Sequence, residues 1–381
     1  MKILAMSAPG SGMFLPTIPI AWALRAAGHD VLLANNGAAA KTVSEAGLPV
    51  VDVCPDRDVF GEFMKASYAI NTTPPGQPRP RRGGLGLFGA EMAEGLLSLA
   101  EIFHPDLILS TLEQGAGPLI AAALGVPHIE QSVRLAWAGP DEQARHYRKT
   151  IADYLEPTRT RLGLPRPPLE PTTTIDIRPP SLGGRETPSQ WLMRYVPYNE
   201  SRLIPDWALA KPPRPRVALT MGSVLPCSGG LSALTKLLAT LADVEVEIVL
   251  ALGNVELSSI GELPDNVRPV GWMPLSALLP NCAVIVHHAG AGTSMTALAS
   301  GVPHVVIPHN ADQPANAAIL ADRGVGIRLD PANVTPEAVR DGLERLLTEP
   351  GFRDAALEVH DEIAGQPAPT DIVTRIELLM S

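Results

Sequence analysis

The sequence predicts an α/β protein made of two doubly wound, parallel-sheet domains. Three observations carry this prediction. The 381 residues suffice for two domains of ordinary size. Short apolar runs alternate with helical spacings in both halves, the pattern of a parallel sheet with right-handed crossovers. Between the halves the texture changes, because thirteen of the 39 prolines fall within residues 151–215. Regular elements are expected to be scarce there, and Lys211-Pro212-Pro213-Arg214-Pro215 reads as a stiff linker.

In the first half, Lys2–Ser7 is a buried strand feeding a loop at Pro9-Gly10-Ser11-Gly12. Pro16–Ala27 places Ile20, Ala23, Leu24 and Ala27 on one helix face and stops at Gly28. Strands at Asp30–Ala34 and Pro49–Val53 flank a short helix, Lys41–Ala46. Asn71–Gly86, rich in Gly, Pro and Arg and without a period, reads as a mobile loop. A strand at Asp106–Ser110, a helix at Gly117–Leu124, a strand at Pro127–Gln131 and a helix at Glu142–Leu155 follow. In the second half, strands are expected at Val217–Met221, Val244–Ala251, Val267–Val270, Ala283–His287, His304–Pro308 and Gly326–Leu329. Helices at Gly230–Leu241, Ser276–Leu279, Gly292–Ser300 and Pro314–Arg323 alternate with them, and three more run near Pro336–Leu347, Gly351–Ala364 and Thr370–Met380. The divisions expected are 1–200, a linker 201–215, a second domain 216–365 and a terminal helix 366–381.

Composition excludes some classes. The net charge of −10 repels a nucleic-acid backbone. The longest apolar runs, such as Leu119–Leu124, fall far short of the ~20 residues of a membrane span. Met1–Met6 reaches Pro9-Gly10 too soon for a signal-peptide core, so a cytoplasmic location is expected. Cys54, Cys227 and Cys282 form neither a disulfide framework nor a zinc pattern.

Ligands of open parallel sheets bind beyond the carboxyl ends of the strands. Four segments of the second half fall there: Thr220–Ser223, Val270–Pro274, His287–Ser294 and His309–Asn316. A glycine turn opening a helix at Gly290-Ala291-Gly292-Thr293 presents free backbone N–H groups and the positive end of the helix dipole, a phosphate site needing no Lys or Arg. His288 can donate a further hydrogen bond. Trp272 offers a face for a nucleobase. Asp312 and Gln313 offer acceptors and a donor to sugar hydroxyls. Taken singly, a glycine turn can serve packing, a tryptophan can be core, and Asp-Gln before Pro can be a helix cap. Their succession at strand ends is the specific signal.

His287-His288-Ala289-Gly290-Ala291-Gly292-Thr293, followed about twenty residues later by Asp312-Gln313, resembles the donor signature of family-1 glycosyltransferases of the GT-B fold. The likeness runs through nearly the whole chain, including Pro19–His29, and is nearest the bacterial natural-product branch that uses dTDP-deoxysugars. The resemblance implies two facing Rossmann-like domains around a cleft, with the last helix packed back on the first domain. It implies that Ser223, His288, Gly290, Gly292 and Thr293 hold the diphosphate, Trp272 and the Met273 backbone the base, and Asp312 and Gln313 the sugar. Ala289 departs from the glycine usual in that motif. The expected partners are an aromatic acceptor and a dTDP-sugar co-substrate, with a homodimer as a candidate assembly, no metal and no cofactor.

Many relatives carry a general-base histidine where this chain has Met13. A thioether cannot accept a proton, and a positioned base contributes roughly 10²–10⁴-fold. A phenol or naphthol acceptor, once ionised, can instead attack the sugar C1 through a ring carbon. The aryl C-glycosyltransferases of angucycline-type polyketides, and the one acting on enterobactin, resemble this chain in lacking that histidine and in Arg194-Tyr195-Val196-Pro197-Tyr198-Asn199. The resemblance points to a carboxylate near Asp141 as the base; capping of the helix at Glu142 is the alternative role for Asp141. Glu142, Asp56 and Asp58 are weaker candidates, and His29 reads as structural. Met13, Phe14, Phe60, Phe63, Met64, Phe88 and Trp137 are candidates to line an apolar acceptor site, with Gly83–Gly86 as a lid. An O-glycosyltransferase using Asp141, a catalytically silent auxiliary partner and a nucleotide-sugar epimerase remain the alternatives.

Overall fold

The computed structural model describes residues 1–72, 84–221, 231–251, 253, 262–332 and 334–381. It divides into two compact units: residues 1–178, 183–194 and 367–381, and residues 179–182 and 195–366. In chain order the first unit carries β1 (Lys2–Met6), α1 (Ser11–Phe14), α2 (Ile18–Ala26), β2 (Asp30–Asn35), α3 (Gly37–Glu45), β3 (Val50–Asp52), α4 (Val59–Thr72), α5 (Gly86–Phe103), β4 (Leu107–Thr111), α6 (Ala116–Leu124), β5 (His128–Gln131), α7 (Glu142–Arg161), β6 (Thr173–Asp176) and β7 (Gln190–Leu192). The second carries α8 (Asp206–Leu209), β8 (Arg216–Leu219), α9 (Leu231–Thr240), β9 (Glu247–Ala251), β10 (Val267–Val270), α10 (Leu275–Leu278), β11 (Val284–His287), α11 (Ala291–Leu298), β12 (His304–Val306), α12 (Gln313–Asp322), β13 (Gly326–Arg328), α13 (Pro336–Thr348) and α14 (Pro350–Gly365). Then α15 (Pro369–Met380) returns to the first unit.

Both sheets are wholly parallel. Their orders are β3-β2-β1-β4-β5-β6-β7 and β10-β9-β8-β11-β12-β13. Each is doubly wound, because the chain works outward from β1 or β8 to one edge and then resumes on the other side. Two switch points result, between β1 and β4 and between β8 and β11, where ligand crevices of such sheets lie. Strands buried on both faces are near-continuous apolar runs: Ile3–Met6 and Ile108–Leu109 in the first unit, Val217–Leu219 and Val284–Val286 in the second, are at most 5% exposed. Leu234 and Leu238 of α9 with Val339 and Leu343 of α13 cover one face of the second sheet. Leu87, Phe88, Met92 and Leu96 of α5 with Ile120 of α6 cover the first. The last helix packs on α2, burying Ile372, Val373 and Ile376, and Glu377 lies 3.1 Å from His29.

The structure departs from the sequence expectation in three places. Residues 11–17 are helical from Ser11 onward, with a 3-10 turn over Leu15–Thr17, so the expected helix from Pro16 begins at Ile18. Helices α4 and α5 are not expected from the sequence, and they take only Asn71, Thr72 and Gly86 from the ends of the expected loop. Residues 73–83 lie outside the described residues, but Gly86 opens α5, and a Cβ there would stand 2.7 Å from Tyr154. The proline-rich stretch is not bare. It supplies β6 and β7, which extend the first sheet. The sequence Thr-Thr-Ile-Asp of β6 has no apolar signature, yet all four residues are buried; the Asp176 carboxylate is met by Arg178 and Gln190.

Candidate active site

The turn from β11 into α11 is built from strain and clamps. Ala289 has φ +64°, a left-handed conformation that costs an L-residue roughly 1–2 kcal/mol. That geometry explains why glycine is usual at this position. Two bonds hold the turn: the Ala289 N–H donates to His287 Nδ1 (3.1 Å), and Asn316 Nδ2 donates to the Ala289 carbonyl (2.9 Å). Because His287 Nδ1 accepts, its Nε2 carries the proton and donates to His304 Nδ1 at 2.9 Å. Burial pushes His304 down to about 3 and His287 well below the usual histidine range, so both rings are neutral.

Gly290 and Gly292 serve different ends. A Cβ on Gly290 would stand 2.4 Å from His288 Nε2, so this glycine admits the imidazole folded over it. A Cβ on Gly292 would meet nothing within 4 Å, so protein packing does not call for glycine there. No side chain caps α11, which leaves its first N–H groups as donors at the positive end of the dipole. His288 Nδ1 is buried without a partner. Burial, the largest influence, pushes His288 down to about 4. At neutral pH it is therefore an uncharged ring with one N–H to donate.

Near this turn, residues 309–312 fold tightly, with Ala311 at φ +54°. Gln313 does not reach outward. Its Oε1 accepts from the N–H groups of His309 (2.8 Å) and Asn310 (3.2 Å), and its Nε2 donates to Asn310 Oδ1. Asp312 stands at the N-cap position of α12 without a side-chain cap bond; its Oδ2 accepts from Asn316 Nδ2 at 3.2 Å. The capping alternative for this pair therefore does not describe it. Trp272 is half-buried, and its Nε1 donates to the Asn199 carbonyl at 3.0 Å. Gly253, at φ +65°, lies against its ring. Met273 packs on the neighbouring core. Ser223 lies outside the described residues.

In the first unit the carboxyl end of β1 is apolar. Met13, Phe60 and Phe63 are partly buried against the core. A Cβ on Gly10 would be 3.0 Å from the Phe60 ring and 3.4 Å from Met13 Sδ, so a bare backbone lets both side chains close in. Phe63 packs on Phe88 with centroids 4.5 Å apart. Met64 is half-buried on α4. Phe14 and Phe88, by contrast, are at most 2% exposed and belong to the core. Trp137 is 8% exposed. It stacks on Tyr147 at 5.1 Å, with the Arg134 guanidinium over its ring.

Asp141 does not cap its helix, since its side chain makes no cap bond to α7. Its Oδ2 accepts instead from the Ala138 N–H (3.1 Å) and Arg178 Nη2 (3.1 Å). Arg178 is gripped by Asp176, which also accepts from Gln190 Nε2 at 2.6 Å. Gly139, at φ +57°, makes room for Gln190, whose Oε1 a Cβ would meet at 2.0 Å. The carboxylate is thus held by a relay of buried side chains reaching to β7. Among the other candidates, Asp58 caps α4 by accepting from Gly61 N–H, and Asp56 and Glu142 are exposed. Sequence reasoning missed Glu113 at the end of β4. It is 0% exposed, with one oxygen on Arg134 Nε at 2.7 Å and Oε2 without a partner. It also gave Asn316 no role. For Glu113 the available signal was an acidic residue two positions beyond the strand Leu107–Thr111. Among the described residues, no three His, Cys, Asp or Glu side chains group as metal ligands.

Residues 22–77 and 80–222 match the N-terminal domain, and residues 235–379 the C-terminal domain, of the erythromycin biosynthesis protein CIII-like family. The elloramycin glycosyltransferase ElmGT of Streptomyces olivaceus is 36% identical, over 99% of this chain and 97% of that protein. The glycosyltransferase SnogD of Streptomyces nogalater superposes with a TM-score of 0.82 at 36% identity, over 100% and 99% of the two chains. SsfS6 of Streptomyces sp. SF2575, complexed with thymidine diphosphate, gives 0.81 at 34% identity over 99% of each.

Proposed function

The chain belongs to the erythromycin biosynthesis protein CIII-like glycosyltransferases, and from that premise we propose that it transfers a deoxysugar from a dTDP-sugar to an aromatic polyketide-type acceptor, forming a C-glycosidic bond with inversion and without a metal. The second unit takes the donor. The N–H groups of Gly292 and Thr293 and the neutral His288 receive the diphosphate, Trp272 and the Met273 backbone the thymine, and Asp312 the sugar, while Gln313 braces the 309–312 loop from within. Charge developing on the departing dTDP meets fixed N–H dipoles, the role a divalent cation plays elsewhere. The thymidine diphosphate complex of SsfS6 supports this choice of nucleotide.

The first unit takes the acceptor, with Met13, Phe60 and Met64 offering apolar surface and Phe14 and Trp137 supporting them from the core. The observation that carries the carbon-linked reading is Met13, packed beside Phe60 where a base would serve an ordinary hydroxyl acceptor. Asp141 removes the phenolic proton. The ring carbon then attacks C1 as the C1–oxygen bond to dTDP breaks, and loss of the ring proton restores aromaticity.

Two measurements test this. Product formed with phenolic polyketides should survive acid hydrolysis; release of free sugar would establish an O-glycoside and remove the carbon-linked reading. Asp141→Asn should lower kcat by about 10²–10⁴-fold with folding retained, while activity persists in EDTA. Full activity in Asp141→Asn together with loss in Glu113→Gln would move the base to Glu113.

A further inference from the structure

Asn199 ties together two parts of the second unit that are distant in sequence. Its Oδ1 accepts from the Ser276 N–H at 2.9 Å, at the start of α10. Its backbone carbonyl accepts from Trp272 Nε1 at 3.0 Å. Its Nδ2 donates to Thr296 Oγ1 at 3.3 Å, on α11. Thr296 is fully buried and passes its own proton to the Gly292 carbonyl at 2.8 Å. Tyr195, four residues earlier and 5% exposed, donates to the same carbonyl at 3.3 Å. The chain leaves Asn199 through Glu200 at φ +63°, a conformation that persists only where surrounding contacts impose it. One side chain and its own carbonyl thus fix the edge of the Trp272 indole, the start of α10 and the first turn of α11.

We infer that Asn199 is a positioning residue that couples the nucleobase platform at Trp272 to the diphosphate turn at Gly292, so that the two ends of one nucleoside diphosphate bind as a unit. The inference rests on the donor reading given above. A ligand spanning two subsites gains most when their spacing is set beforehand; each half alone gains little from the tie. Neutral hydrogen bonds suffice, because the tie needs only geometry. The Asn199 amide supplies one acceptor and one donor, and aspartate, its isostere, keeps the acceptor while turning an oxygen toward Thr296.

Titration calorimetry with dTDP, thymidine and inorganic pyrophosphate separates the outcomes. In Asn199→Asp and Asn199→Ala, the dTDP Kd should rise about 10-fold, while the Kd values for thymidine and pyrophosphate stay within about 2-fold of wild type. Thr296→Val, which keeps shape but removes the shared hydroxyl, should repeat this pattern and serves where an Asn199 variant fails to fold. KM for the sugar donor should rise with KM for the acceptor unchanged. An unchanged dTDP Kd in the variants, or equal weakening of all three ligands, overturns the coupling role while leaving the donor reading intact. Absence of dTDP binding to the wild type overturns the donor reading and the coupling role with it.

Discussion

The carboxyl ends of the two sheets use opposite materials. In the second unit the β11–α11 turn consists of backbone geometry and neutral imidazoles: a left-handed alanine, an uncapped helix and three histidines that burial keeps uncharged. In the first unit the end of β1 is apolar, but β5, β6 and the exit from β4 carry charged side chains paired in the interior: Asp176 with Arg178, Glu130 with Arg148, Glu113 with Arg134. A site whose donors are backbone N–H groups and neutral rings needs geometry from its surroundings but no counter-ion. A site built from buried ion pairs is sensitive to every partner, because removing one leaves a charge with neither water nor a counter-ion.

Four experiments test this contrast. The largest effect is expected from Asp176→Ala, which leaves Arg178 buried and short of its main partner. Chemical denaturation should show a loss of about 3–5 kcal/mol, while dTDP still stabilises the second unit. Next, on the proposed role of His288 as a donor to the leaving group, His288→Ala should lower kcat by about 10²–10³-fold with little change in stability. Acid titration comes third. Histidines held below their unfolded value bind protons only on unfolding, so their contribution to stability is complete above about pH 6.5 and falls away as pH drops toward about 4 for His288 and about 3 for His304. Because His287, His288 and His304 lie in the second unit, and His128, held at about 3, in the first, hydrogen exchange between pH 6.5 and 4 should loosen α11 before the sheet of the first unit. Equal loosening would remove the contrast. The smallest effect belongs to Ala289→Gly. Relief of the left-handed strain, partly offset by the freer unfolded chain, should add about 1 kcal/mol and raise Tm slightly.

The same contrast decides what could be read from the sequence. The glycine turn, His288, Trp272 and the Asp312-Gln313 pair are local, since each lies within a few residues of a strand end and strand ends are marked by apolar runs. The doubly wound pattern was legible for that reason, and the second sheet agrees with expectation strand by strand. Local reading did not extend to what side chains hold. Gln313 turned inward to its own loop, and Asn199 owes its role to bonds across 73 to 97 residues of chain. In the first unit the relay Gln190–Asp176–Arg178–Asp141 joins segments that share no motif, and β6 hides its burial behind polar residues. Helix α5 escaped notice because it is apolar on more than one face and so lacks a single stripe. Phe14 and Met13 are adjacent, yet one is core and the other borders the end of β1, a difference that a list of apolar residues does not contain.

The return of α15 to the first unit has a consequence for synthesis. The second unit is inserted between the body of the first and its last helix. On the ribosome, α2 therefore exists long before the helix that covers it. At roughly 5–20 residues per second, residues 195–366 take on the order of ten seconds or more to emerge. During that interval the α2 surface that will receive Ile372, Val373 and Ile376 is open, and the first unit is finished only after the second has been translated. The last dozen residues thus act as a clasp, closing the domain that was begun first.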